Sequence, residues 1–89
     1  MKKIFKYELM LTDEVFITSR KNAKLLSVQV QHGKLCAWFE VDTKSSSVSH
    51  RFTLVGTGHE VPENVGQYVT TVQLGGGSLV LHVYYGGEA

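Results

Sequence analysis

The run Gly56-Thr57-Gly58-His59 is the segment of this chain best suited to chemistry. Two glycines separated by one residue let a backbone turn tightly and aim N–H groups at an anion. Thr57 adds a hydroxyl, and His59 adds a ring nitrogen that donates or titrates near neutrality. Such a loop suits a phosphate or a nucleotide, with Arg51 on the preceding strand as the cation that would join His59 on it. The run is neither a P-loop nor a full dinucleotide fingerprint, and no clear helix follows it. A glycine-shaped turn whose histidine bonds to backbone is the competing reading. Two aromatics, Trp38 and Tyr84, point away from the regular apolar faces of their strands. They suit stacking on a base, a contact between subunits, or packing against a second sheet.

Other chemistries find less in the sequence. Cys36, His50, His59 and His82 are donors a metal would use, but none has the close paired spacing of a zinc site. His50 and His82 fall inside strands, where a packed or hydrogen-bonded imidazole is the commoner outcome. Cys36 lies among apolar residues in mid-strand, the setting of an inert thiol. Ser45, Ser46 and Ser47 sit in a polar loop with no motif that would activate one of them. No two carboxylates have a spacing that suggests glycoside or phosphoryl chemistry. The expectation is a protein that binds and does not catalyse, with no metal and no cofactor.

The elements that must position these residues are strands. Alternation with a period of two runs through the chain. Phe5, Tyr7, Leu9 and Leu11 fall on one face of a first segment, and Val15 to Thr18 forms a short second one. Ser19 to Lys24 reads as a loop. Leu26, Val28 and Val30 then lead into a turn at His32-Gly33, and Leu35, Ala37, Phe39 and Val41 lead out of it. Gly33 supplies the positive φ that a two-residue hairpin turn requires. The serine-rich stretch Asp42 to Ser47 reads as a flexible loop. Val48 to Val55 follows, with His50, Phe52 and Leu54 on one side and Arg51 and Thr53 on the other. Gly56 to Gly66 is a long connection that contains the only proline, Pro62. Gln67 to Leu74 turns at Gly75-Gly76-Gly77 into Ser78 to Tyr85. The pattern predicts a single all-β domain spanning residues 1–89, with about seven short, mostly antiparallel strands in a small sandwich or barrel.

Length and composition set the limits. A chain of 89 residues has room for one core, and a core this small stabilises only modestly, so burial against another subunit would help. With 43% hydrophobic and 19% charged residues the chain is globular and not disordered. A net charge of +1 argues against nucleic acid as the partner. Residues 1–44 hold eight Lys and Arg against five Asp and Glu, whereas residues 45–89 hold one against three. The charges are therefore unevenly spread, with Lys2, Lys3 and Lys6 on an edge strand. One cysteine allows no intrachain disulfide, which suits a reducing cytoplasm. Lys6, Glu8 and Asp13 interrupt what would otherwise be the apolar part of a leader, and no apolar run is long enough for a membrane helix.

Lys6-Tyr7, Leu26-Ser27-Val28-Gln29, Cys36, Trp38, Gly56-Thr57-Gly58-His59, Gln73-Leu74 and Leu79-Val80-Leu81-His82-Val83 occur in this order along the chain. In these features the chain resembles a group of small bacteriophage-encoded proteins without assigned function. The resemblance implies a phage origin and a life in the host bacterial cytoplasm, and it carries no catalytic residues with it. Joined to the possible anion loop, it suggests an anti-defence binder that sequesters a nucleotide-like immune signal. In that reading Gly56, Thr57, Gly58, His59 and Arg51 hold phosphate, and Trp38 or Tyr84 stacks on a base. A protein–protein inhibitor of a host defence enzyme, similar to an anti-CRISPR factor, is the alternative, and a minor virion component is a third. Large apolar residues on second strand faces (Ile4, Met10, Trp38, Val55, Val69, Val80 and Tyr84) predict that the chain also self-associates as a homo-oligomer.

Overall fold

The computed structural model describes all 89 residues, Met1–Ala89. Seven strands follow one another: β1 (Lys2–Glu8), β2 (Glu14–Arg20), β3 (Lys24–Gln31), β4 (Lys34–Asp42), β5 (Ser47–Gly56), β6 (Gln67–Leu74) and β7 (Leu79–Glu88). They form two separate antiparallel sheets, one of order β1-β4-β3 and the other β2-β5-β7-β6. The sheets stay open and face each other, so the fold is a sandwich and not a barrel. The alternation explains why. Leu35, Ala37, Phe39 and Val41 on β4 and Phe52, Leu54, Leu81 and Val83 on β5 and β7 each give a strand one buried face. Two such faces are hidden most simply against each other.

Phe39 stands at the centre of the core. It is fully buried, and its ring lies 5.1 Å from His50, 5.8 Å from both Tyr7 and Tyr85, and 6.1 Å from Phe52. His50 is also fully buried and fully bonded. Its Nε2 lies 2.9 Å from the Arg20 carbonyl, and its Nδ1 lies 2.7 Å from the Tyr85 hydroxyl. A carbonyl only accepts, so Nε2 carries the proton and Nδ1 accepts from Tyr85. His50 is thus a packed and satisfied imidazole on β5 that ties together the two strands flanking it, β2 and β7.

Burial, and secondarily the charge of Glu88, raise the Tyr85 phenol above its ordinary 10.0. The folded state therefore holds that proton more tightly than the unfolded chain. Its contribution to stability is complete below the unfolded value and is lost as pH rises through the folded one. Unfolding titrations above pH 10 should show a steeper loss of stability in the native protein than in Tyr85→Phe. Equal slopes would contradict this role.

The His32-Gly33 hairpin forms as the sequence predicts, with φ of 51° and 76° at the two residues. Both values are positive, as the turn that matches strand twist requires. A Cβ on Gly33 would meet nothing within 4 Å. Gly33→Ala should therefore cost only the backbone strain, about 1 kcal/mol. That corresponds to a melting temperature lower by roughly 4–8 °C.

Several boundaries differ from the sequence reading. A bulge between Leu25 and Ser27 inserts Leu26 as an unpaired residue, so Leu25 packs on the core and Leu26 is 42% exposed. Strict alternation had put Leu26 on the buried face. Leu11 lies beyond β1 and is 52% exposed. The loop expected from Ser19 shrinks to a tight turn: Ser19 and Arg20 belong to β2, and Asn22 takes a φ of 61°. The serine-rich stretch is also a tight turn. The Asp42 carboxylate accepts the Lys44 N–H at 3.0 Å and thereby caps it. β7 runs past Tyr85 to Glu88, helped by a register shift opposite Arg51.

Candidate functional site

The predicted site residues fall into three places. Gly56-Thr57-Gly58-His59 closes β5 with a turn in which the His59 N–H donates to the Gly56 carbonyl at 3.1 Å. Gly58 has a φ of 88°, the left-handed value this turn needs at that position. The His59 ring lies 3.5 Å from where a Gly56 Cβ would stand, an ordinary van der Waals contact, so the space there does not demand a glycine. The turn accounts for Gly58, and nothing in the structure requires glycine at position 56.

Thr57 reaches sideways onto the outer face of the four-stranded sheet. Its Oγ1 lies 2.8 Å from His82 Nε2, and His82 Nδ1 lies 2.8 Å from Thr71 Oγ1. Thr71 Oγ1 in turn lies 2.6 Å from the Tyr68 hydroxyl, and the Tyr68 ring meets Tyr84 edge-on at 5.7 Å. A hydroxyl against an imidazole resembles a nucleophile and its base. Here the third member is a threonine and not a carboxylate, so nothing charged stabilises the imidazolium that catalysis would form. The chain of bonds works as a tether that holds the turn to β6 and β7. Thr57→Val should loosen it at a cost of about 1 kcal/mol. Hydrogen exchange should then accelerate at the Thr57 to Glu60 amides, with little change in the β4 amides. Unchanged exchange in the turn would contradict the tether.

Arg51 and His59 share a second place. The 56–66 connection folds back over the outer side of β5, which buries Thr53, Val55 and Val65 to 5%, 6% and 8% exposure. Between this cover and the sheet lies a cleft of about 440 Å³. Arg51 lines it but is engaged: it donates to the Asn64 carbonyl at 2.6 Å and lies 3.8 Å from a Glu14 oxygen. Its guanidinium also lies over Gly86, where a Cβ would stand 2.6 Å from Nη2. Asp13, Glu14, Glu60 and Glu63 line the same cleft. Four carboxylates against one guanidinium repel a phosphate, so the anion-binding role expected of Arg51 and His59 is not what this cleft favours.

Trp38 stands alone. It lies on the outer face of the three-stranded sheet, opposite Lys6 on β1 and Ser27 on β3. Tyr84 is on the outer face of the other sheet, so one copy of the chain cannot bring the two aromatics to one ligand. Two exposed apolar side chains share the face of Trp38 with these polar neighbours, Lys6 and Ser27: Ile4, on the diagonal position of β1, is 60% exposed, and Leu26 is 42% exposed. No group of three or more His, Cys, Asp and Glu side chains is placed to hold a metal ion.

The sequence reading missed the Thr71–Tyr68 arm of the network and the acidic lining. Thr71 and His82 are direct cross-strand partners, a relation that only the register supplies. Glu60 and Glu63 flank Pro62 close to His59, and that local signal was readable. Asp13 and Glu14 join them only because β2 pairs with β5.

The whole chain, residues 1–89, matches the family model described as a domain of unknown function, DUF7352. The chain belongs to that family. No curated protein and no solved structure matches it.

Proposed function

We propose that this member of DUF7352 is a non-enzymatic phage accessory protein that acts in the host bacterial cytoplasm by binding another protein. Its contact surface is the outer face of the three-stranded sheet. The observation that carries the reading is Trp38 at the middle of that face, with Ile4 60% and Leu26 42% exposed beside it. Tryptophan is the side chain most often central to protein contacts, and a ring of polar residues around it excludes water. Lys2, Lys6, Gln29 and Gln31 supply that ring on the same face. The likeness to phage-encoded proteins supports a host protein, such as a defence enzyme, as the target. A second copy of the chain is also a partner for this face, in line with the self-association expected from the sequence.

A photo-crosslinking residue at position 26 tests this inside bacteria. A single discrete adduct there, and none from a probe at Ser49 on the other sheet, is the expected result. Adducts at 49 and not at 26 would overturn the reading. The sequestered-nucleotide reading keeps one supporting observation, that Arg51 and His59 line a common cleft. Thermal shift against cyclic and ADP-ribose-type nucleotides decides it, and the acidic lining predicts no shift.

A further inference from the structure

We propose that the cleft beneath the 56–66 connection is a binding site for an aliphatic ammonium or guanidinium group. It lies on the opposite side of the sandwich from Trp38 and does not depend on the contact proposed there.

Three observations meet in it. Asp13, Glu60 and Glu63 line the cleft, and none of them is in an ion pair within the chain. The chain's own cation there, Arg51, is taken by Glu14 and by the Asn64 carbonyl. The negative charge of the lining is therefore left without an internal counterpart. Independently, the floor of the cleft carries the Thr53 hydroxyl. Thr53 is 5% exposed, yet its side chain makes no hydrogen bond within the chain and no buried polar atom is left unsatisfied, so its oxygen opens onto the cleft. A hydroxyl held in that way accepts from an N–H donor brought in from outside. Lastly, Val55 and Val65 form an apolar wall beside it. An alkyl stem suits such a wall while its cationic head meets the carboxylates. A small inorganic cation would leave that wall unused, and the carboxylates are not clustered closely enough to chelate one.

The chemistry is shared by free polyamines and by lysine or arginine side chains of a protein. Calorimetry on the full chain, with spermidine and with a capped pentalysine peptide, tests it and separates the sources. Both should bind at low salt, and binding should weaken as salt rises. Stronger binding of spermidine would assign the site to a free polyamine, and stronger binding of the peptide to a protein side chain. The double variant Glu60→Gln/Glu63→Gln, confined to the exposed connection, should weaken binding about tenfold, as the loss of two charged partners implies. Thr53→Val, nearly the same in shape, should weaken it severalfold. Diffuse attraction to an acidic surface would not sense that hydroxyl. Glu8→Gln on the other sheet should leave binding unchanged. No binding of either probe, or binding indifferent to both Thr53→Val and the double variant in proteins that melt like the native one, would overturn the proposal.

Discussion

Phe39→Ala should unfold this domain or bring it to the edge of unfolding. Phe39 sits where both sheets converge, fully buried, with Tyr7, His50, Phe52 and Tyr85 around its ring. Removing a buried phenylalanine costs about 3–5 kcal/mol, because the lost transfer energy is joined by the cavity left behind. A domain of this size has a total stability of roughly 5–10 kcal/mol. The loss should lower the melting temperature by at least about 12 °C. The neighbours cannot easily close the gap. His50 is fixed by bonds to Arg20 and Tyr85, and Tyr7 by a bond from the Ser19 hydroxyl at 2.9 Å. Thermal unfolding followed by circular dichroism checks this. A shift of only a few degrees would mean that Phe39 is not the centre of the core.

Gly66→Ala should be the most damaging of the glycine substitutions. Gly66 has a φ of 88°, and a Cβ there would stand 2.2 Å from the Tyr85 carbonyl oxygen and 2.7 Å from Gly86 Cα. Both obstacles are backbone, so neither can swing aside. The connection would have to lift from the sheet, uncovering Val55 and Val65 and opening the cleft. Backbone strain alone costs about 1 kcal/mol, as at Gly33. The displaced cover should raise the total to about 2–4 kcal/mol. Melting of the two variants side by side isolates the clash. Equal losses in Gly33→Ala and Gly66→Ala would show that the connection does not press on β7.

The strands were legible because each has one apolar face of regular period. The hairpin turns were legible because His32-Gly33 and Gly75 to Gly77 have few other uses. Where the period broke, the reading failed. The bulge at Leu26 shifts one residue out of alternation, and nothing in Leu25-Leu26-Ser27 announces it. The pairing of β2 with β5 was not readable either, since it joins segments far apart in sequence. That pairing decides the site, because it sets Asp13 and Glu14 beside Arg51 and makes an apparent anion loop part of an acidic cleft. Likewise Trp38 and Tyr84 looked equivalent in their strands, and only the sheet order places them on opposite outer faces. Val55, which the sequence left as an uncovered apolar residue, is covered by the chain's own connection. Ile4 and Leu26 are not, and with the half-buried Trp38 they make an apolar patch on the three-stranded sheet, while Phe16 and Tyr68 stay exposed on the other.

Native mass spectrometry of the protein purified from bacteria tests the proposed contact most directly. The native chain should appear in an assembly, with a second copy or with another protein, at a mass above the 9.9 kDa of one chain. Trp38→Glu, which places a charge at the centre of the face without touching the core, should reduce it to a single chain with its melting temperature retained. A mass of 9.9 kDa for the native protein at every concentration, or an assembly that Trp38→Glu leaves intact, would contradict the assignment of that face.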